Sequence, residues 1–517
     1  MILNDTRSNY DFVRYYCTAG NGMEAFLVDE VKRKLAAKDV HQIQGKVLFS
    51  SSAVIDRVSR LKAAERLFLL LKQDAPLRLP AHTSPARASH VLQSRLLGDR
   101  NQWTGAVRTW SRLQGELAAN RNADKITAKK ARKETEEEKG VEEEGKCLVE
   151  CRKRTRELRV DEWESKKLRS DKQTNDKEKE EEAEVLDLSG VNEVEEIKSP
   201  DTDRSREKDT NQSCGTSHTA ARLEHNVEGC SRTMDELDTD TALENVSFRI
   251  NCKCSGSLSR CLSAQEISKV LGAGLSRLLG WKADLKNPQL EINAFLSDDY
   301  ILLGIPLTRS PLASRSYIKT TGLRSTIAWA MASLAQIQPG FLVVDPMCGV
   351  GTILIEAAQE HKAACFLGVD IDDGQLQKAN ENMTFAELGS RVHLLKASSM
   401  GLPLPSCSVD AVICDLPFGR KFDTKINMAA KLPLILSEME RILCVGGTLV
   451  VLLSPQLSSL MKKLLTQKHT DPTSNQEAKP PAGEQEREFH LSSLKHQTSF
   501  RVSLGAIDGL IHKYVKT

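Results

Sequence analysis

The pattern of apolar and polar positions divides the chain into four stretches. Over residues 11–110, Phe12-Val-Arg-Tyr-Tyr-Cys-Thr reads as a strand entering a glycine turn at Gly20-Asn21-Gly22. Phe26, Leu27, Val31 and Leu35 then recur at helical spacing within Met23–Ala37, and Gln44-Gly-Lys-Val-Leu-Phe-Ser returns as a strand. That order predicts a small α+β unit. A second such unit is predicted over 244–311. Val246-Ser-Phe-Arg-Ile-Asn alternates like a half-buried strand, and Ser263 and Glu266 form a capping-box pattern opening a helix that runs to Leu279 before Gly280. Leu290–Leu296 and Tyr300–Ile305 follow as strands. Residues 312–517 alternate strands and helices as a doubly wound α/β sheet requires. Its strands are Phe341–Asp345, Cys365–Asp370, Val392–Lys396, Val409–Asp415 and Gly447–Leu453, with Thr498–Leu504 and Gly509–Tyr514 as a closing antiparallel pair.

Between the two α+β units, residues 111–243 break the pattern. KETEEEK, VEEEGK and DKEKEEEAEV are dense in charge and poor in aromatics, too polar to bury a core, and predict a disordered insertion, with a helix over part of it as the other reading because Glu and Lys are good helix formers. Its basic clusters, Lys129–Lys133 and Arg152–Arg154, are candidate nuclear-import signals or simply solvated charge. A second polar interruption over about 467–488 predicts a flexible loop. The 517 residues carry a formal charge of only +2, so any nucleic-acid site must be a local patch. No apolar run is long enough to span a bilayer and the first ten residues lack a secretory core, so no membrane partner is expected. Thirteen cysteines without regular spacing suit free thiols in a reducing compartment, with the nucleus, and also the cytoplasm, as the expected location. Cys252 and Cys254 make only a CxC, and no metal site is expected.

Three chemical signals fall at strand ends of the last stretch. Val344-Asp-Pro-Met-Cys-Gly-Val-Gly-Thr places Asp345 before a turn with Gly349 and Gly351 and a helix from Thr352. Free N–H groups at such a helix start suit an anion, but GxG lacks the third glycine of a dinucleotide site, and an acidic strand end repels phosphate while suiting an amino-acid ammonium. The zwitterionic methionine end of S-adenosyl-L-methionine fits both features. Asp370 ends the next strand, where a carboxylate can accept both ribose hydroxyls; Asp372 could share that role, or the acid could cap the helix that follows. Asp415-Leu-Pro-Phe-Gly ends the fourth strand. An exocyclic base amine is a poor nucleophile, since its lone pair is delocalised into the ring. Asp415 and the Leu416 carbonyl can accept its two N–H bonds, Pro417 fixes the backbone, and Phe418 offers a face for a flipped base. The motif by itself allows adenine or guanine, DNA or RNA.

Taken together, these residues resemble the THUMP-domain methyltransferases that make N2-methylguanosine in RNA. The resemblance also rests on Tyr16-Cys-Thr-Ala-Gly-Asn-Gly-Met-Glu, Asn287-Pro-Gln-Leu-Glu-Ile and Ala313-Ser-Arg-Ser-Tyr-Ile-Lys-Thr-Thr-Gly-Leu-Arg-Ser-Thr. It implies a Rossmann-like class I methyltransferase domain over 312–517, behind an α+β ferredoxin-like/THUMP module split by the insertion. It assigns donor binding to Asp345, Pro346, Cys348, Gly349, Gly351, Thr352, Asp370 and Ser398, and guanine methylation to Asp415, Leu416, Pro417 and Phe418. Ser398 stands where many relatives carry an aspartate that meets the adenine amine, and Phe418 where the commoner pattern has tyrosine. Implied partners are a structured small RNA, small nuclear RNA or tRNA, and a small zinc-binding activator subunit. Arg315, Lys319 and Arg324 are candidate phosphate contacts, with a solvated basic face as their other reading. Trp281 is expected in the core. Competing functions are an RNA-binding adaptor with an inactive methyltransferase fold, and adenine N6 methylation of DNA or RNA.

Overall fold

The structure, a computed structural model, describes residues 12–80, 82–120, 122, 246–418, 428–466, 491 and 493–517. The expected insertion, its basic clusters, the 467–488 loop and Gly419 lie outside the described residues, apart from the first part of the insertion.

The first α+β unit holds β1 (Val13–Thr18), α1 (Glu24–Leu35), β2 (Lys38–Ile43), β3 (Lys46–Ser51), α2 (Ile55–Ser59), β4 (Arg66–Asp74), α3 (Pro85–Leu96) and α4 (100–120). The helix α4 corrects the expected boundary at residue 110, because Leu113 and Leu117 are buried in the core and carry it to residue 120. The second unit holds β5 (Ser247–Cys254), α5 (Ala264–Leu279), β6 (Lys282–Ala283), β7 (Leu290–Leu296) and β8 (Ile301–Pro306). The capping box forms as expected. Ser263 Oγ accepts the Glu266 N–H, the Glu266 carboxylate accepts the Ser263 N–H, and Gly280 ends the helix. Trp281 is buried against Phe248.

The two units share one eight-stranded sheet, ordered β2-β3-β1-β4-β8-β7-β5-β6, in which β4 and β8 pair antiparallel from Phe68↔Pro306 to Asp74↔Ile301. Polar β2 sits at its edge, where an exposed strand needs little apolar alternation.

The remaining elements are α6 (Ser325–Leu334), β9 (Leu342–Asp345), α7 (Thr352–Glu360), β10 (Cys365–Asp370), α8 (Asp373–Phe385), β11 (Val392–Lys396), β12 (Val409–Asp415), α9 (Met428–Ile442), β13 (Leu443–Leu453), α10 (Pro455–Thr466), β14 (Leu494–Ser503) and β15 (Asp508–Lys516). They build a seven-stranded sheet ordered β11-β10-β9-β12-β13-β15-β14, parallel except for β15, which runs antiparallel to both neighbours. β9 and β12 are almost wholly apolar because both faces are covered. Strand order reverses between β9 and β12, the place where a doubly wound sheet opens a crevice at its carboxyl ends. Asp345, Asp370, Ala397-Ser398 and Asp415 all stand along that edge.

Candidate active site at the carboxyl ends of the strands

The turn after β9 is shaped by its glycines and tied to β10. Gly351 caps α7 at φ 80°, accepting the Ile355 N–H, and a Cβ there would stand 2.9 Å from Met383 Cε and 3.6 Å from Ala379 Cβ. The positive φ therefore demands glycine, while the Met383 methyl at the end of its flexible side chain would have to yield to any Cβ. The place a Gly349 side chain would occupy is open. The Cys348 N–H donates to the Val369 carbonyl (2.9 Å), and the Gly349 N–H to Asp370 Oδ2 (2.9 Å). Asp370 Oδ1 accepts from the Asp372 N–H. Capping of α8 falls instead to Asp372, whose carboxylate accepts the Gly374 and Gln375 N–H groups. Asp370 thus braces the turn while keeping lone pairs for a hydroxyl. Thr352 is buried and accepts the Gly322 N–H, and Pro346 is buried beneath the turn.

We expect Gly351→Val to weaken binding of S-adenosylhomocysteine by at least about tenfold in calorimetry, since the turn must move to admit a branched side chain at positive φ. Unchanged affinity would detach the turn from the ligand.

Three carboxylates lie at neighbouring strand ends. Asp345 is buried and accepts the Met347 N–H at 3.2 Å; burial, with Asp415 and Asp370 nearby, pushes its carboxyl well above the usual range. Burial alone pushes Asp415 up to about 7. A crevice that holds desolvated carboxylates invites a cation, because a positive charge would relieve both repulsion and desolvation.

Beyond Asp415 the chain leaves β12 with the Leu416 N–H still donating to the Leu452 carbonyl (3.1 Å). That bond keeps residues 415–416 in the rigid frame of β13. Leu416 is buried, Pro417 and Phe418 half-buried. The Phe418 ring approaches β15: a Cβ on Gly509 would be 3.3 Å from its Cζ. Ser398 Oγ accepts the Met400 N–H, and Ala397 donates to the Asp370 carbonyl, so the end of β11 is fastened beside Asp370. Asp345, the glycine turn, Asp370, Ser398 and the Asp415–Phe418 segment therefore line one edge.

Each of the three basic residues faces a carboxylate. Arg315 is buried at 4% side-chain exposure, its Nε 3.0 Å from Glu356 Oε1, with Nη2 donating to the Lys62 carbonyl and Nη1 to that of Leu312. A guanidinium so enclosed cannot meet a phosphate, which corrects the expectation for Arg315. Lys319 is exposed and paired with Glu381 (2.8 Å), and Arg324 faces Glu65 (3.4 Å). Sequence reasoning also missed Asn382, fully buried on α8. Its Oδ1 accepts the Lys319 and Thr320 N–H groups while Nδ2 donates to the Thr320 and Val350 carbonyls, stitching the chain before α6 to the glycine turn. Ile371 was missed as well. Directly after Asp370 at the end of β10, it is an apolar side chain left 68% exposed.

Among the described residues, no group of three or more His, Cys, Asp or Glu side chains could hold a metal ion, and no helix is long and apolar enough to cross a membrane.

Two family descriptions match this chain, a THUMP domain over residues 227–305 and an RMKL-like methyltransferase domain over residues 313–475. The U6 snRNA (guanine-N(2))-methyltransferase THUMPD2 of Bos taurus is 36% identical over 545 residues, spanning 98% of this chain and 96% of the relative. The tRNA (guanine(6)-N(2))-methyltransferase THUMP3 of Bos taurus is 29% identical over 46% of this chain and 50% of its own length. In fold, the crystal structure of TrmN from Thermus thermophilus aligns with a TM-score of 0.55 at 16% identity, covering 98% of this chain and all of that one (100%). With both domain descriptions matched and 36% identity over nearly its full length, the chain belongs to the family of THUMP-domain RNA methyltransferases.

Proposed function

We propose that this protein transfers a methyl group from S-adenosyl-L-methionine to the exocyclic N2 of a guanosine in a structured small RNA, with U6 small nuclear RNA as the first candidate and tRNA as the second. What carries the reading is Asp415, a half-buried residue with a desolvated carboxyl at the end of β12, beside Asp345 and followed by Leu416, Pro417 and Phe418. The candidate RNAs come from the two similar guanine-N2 methyltransferases.

When bound, the donor supplies an electrophilic methyl on a sulfonium. The rest is positioning by this chain. The turn at Gly349–Gly351 would hold the methionine end, with Asp345 serving its ammonium and Asp370 its ribose hydroxyls. Ile371 would offer the adenine an apolar contact, and Ser398 a polar one. Asp415 accepts one N–H of the guanine amine and the Leu416 carbonyl accepts the other, which turns the nitrogen lone pair toward the methyl. Phe418 holds the flipped base by stacking, and Asp415 takes the proton that the methylated amine sheds. The eight-stranded module captures the RNA, for which Lys319 and Arg324 remain candidate phosphate contacts. A small zinc-binding activator subunit is the proposed protein partner and the nucleus the proposed site of action, the latter in keeping with a U6-modifying relative.

Nucleoside mass spectrometry on small RNA from deleted cells tests the reading. Loss of N2-methylguanosine is expected. An unchanged level with altered N6-methyladenine would transfer the motif to adenine, and donor binding without methylation of any RNA would make the chain an adaptor.

A further inference from the structure

The Gly20-Asn21-Gly22 turn stands far from the crevice in sequence, yet it is seated on the methyltransferase sheet. The Ser503 N–H donates to the Asn21 carbonyl at 3.0 Å. Gly22, at φ 87°, lies so close to β14 that a Cβ would come within 1.8 Å of the Arg501 carbonyl oxygen and 3.2 Å of Val502 Cα. Phe26, early in α1, meets Phe500 with ring centroids 4.7 Å apart. β14 is the outer strand of its sheet, so the turn occupies an edge that otherwise shows unpaired backbone. The turn is itself stiff: both Glu24 carboxylate oxygens are engaged, one by the Gly22 N–H and one by the Gly45 N–H, each at 2.8 Å.

From this docked edge the path to the acceptor motif is short. β14 turns back through a Leu504 N–H bond to the Ile507 carbonyl (2.7 Å), and Val502 pairs with Gly509 on β15. Gly509 is the residue against which the Phe418 ring rests, with a Cβ there 3.3 Å from Phe418 Cζ and 3.2 Å from Leu504 Cδ1. The N-terminal module thus grips the hairpin that backs the acceptor ring.

We infer that the Gly20–Gly22 turn is a positioning element for methyl transfer: docked on β14, it holds the β14–β15 hairpin behind Phe418 and so fixes the face on which the base stacks. The inference rests on the reading of Phe418 as that face. Gly22 and Phe500 are positioning residues, acting through the hairpin and touching neither donor nor base.

The full-length protein carrying Gly22→Ala or Phe500→Ala tests it by hydrogen–deuterium exchange, by calorimetry with S-adenosylhomocysteine, and by methyl transfer to transcribed U6 small nuclear RNA. Both variants should exchange faster at residues 503–509 and 415–418, with 345–351 still protected. S-adenosylhomocysteine affinity should stay within about twofold of native, and kcat should fall about tenfold with a smaller change in KM, as expected for an interaction felt in the transition state. Phe500→Ala leaves the backbone contact in place and should give the milder effect; if Gly22→Ala does not fold, it decides alone. Unaltered exchange at 415–418 in a folded variant, or a change confined to KM, would overturn the inference. Should the native protein methylate no guanosine, the proposed function fails, while the exchange data still decide whether the turn governs the hairpin and Phe418.

Discussion

Asp415→Ala should lower kcat by about a thousandfold or more and leave S-adenosylhomocysteine affinity unchanged, since on the proposed mechanism the substitution removes both the acceptor that orients the amine and the base that takes its proton. Single-turnover methyl transfer and calorimetry on the same preparation would separate the two effects. Loss of donor affinity would show that the carboxylate serves the donor instead. The same group sets a pH dependence. With the free-enzyme carboxyl at about 7, it is protonated and inactive at low pH, so kcat/KM should rise about tenfold per unit toward pH 7 and level off above it. The sign for stability is opposite. A carboxyl whose folded pKa lies above its unfolded value of about 3.9 weakens the fold as pH rises between the two values. The native protein should therefore lose stability relative to Asp415→Ala between about pH 4 and about pH 7. A parallel course of the two melting temperatures would place the titration elsewhere.

Glu356→Ala should destabilise the fold by about 3–5 kcal/mol, the usual result of stripping one partner from a buried ion pair. Glu356 is fully buried on α7, and its Oε1 accepts from Arg315 Nε and, at 2.9 Å, from the Tyr317 hydroxyl. Tyr317 Oη also accepts from Lys62 Nζ at 2.6 Å, and Lys62 lies in the first α+β unit. Losing the carboxylate strands the Arg315 guanidinium between carbonyls where water cannot follow. Arg315→Met combined with Glu356→Leu should recover most of the loss, since well-packed apolar residues often replace such a pair without cost. Denaturant unfolding measures both. A single-variant effect below about 1 kcal/mol would mean that water reaches the cluster.

Arg315 shows why one residue type in one sequence context leaves two outcomes open. As a cation among Ser, Tyr and Lys it reads as a phosphate contact, and nothing local announces Glu356, forty-one residues on. Asn382 is similar, a polar residue on a helix face that gains meaning only when residues 319–320 and Val350 converge on it. Asp370 and Asp372 could not be told apart as cap and ligand until backbone N–H positions were known.

Features whose physics is local were legible along the chain. Alternation and helical spacing predict the strands and helices, the Ser263–Glu266 capping box lies within a single turn, and the acidic strand ends with their glycine turn can be read residue by residue because strand end, turn and helix start are contiguous. That was enough for the doubly wound sheet, the donor and the acceptor chemistry. Tertiary structure decided what depends on distant partners: the continuous eight-stranded sheet made when β4 meets β8, the burial of Arg315, the exposure of Ile371, and the seat of Gly22 on Arg501. The reason is that periodicity records which face of an element is apolar, whereas the identity of the facing group depends on how the whole chain closes.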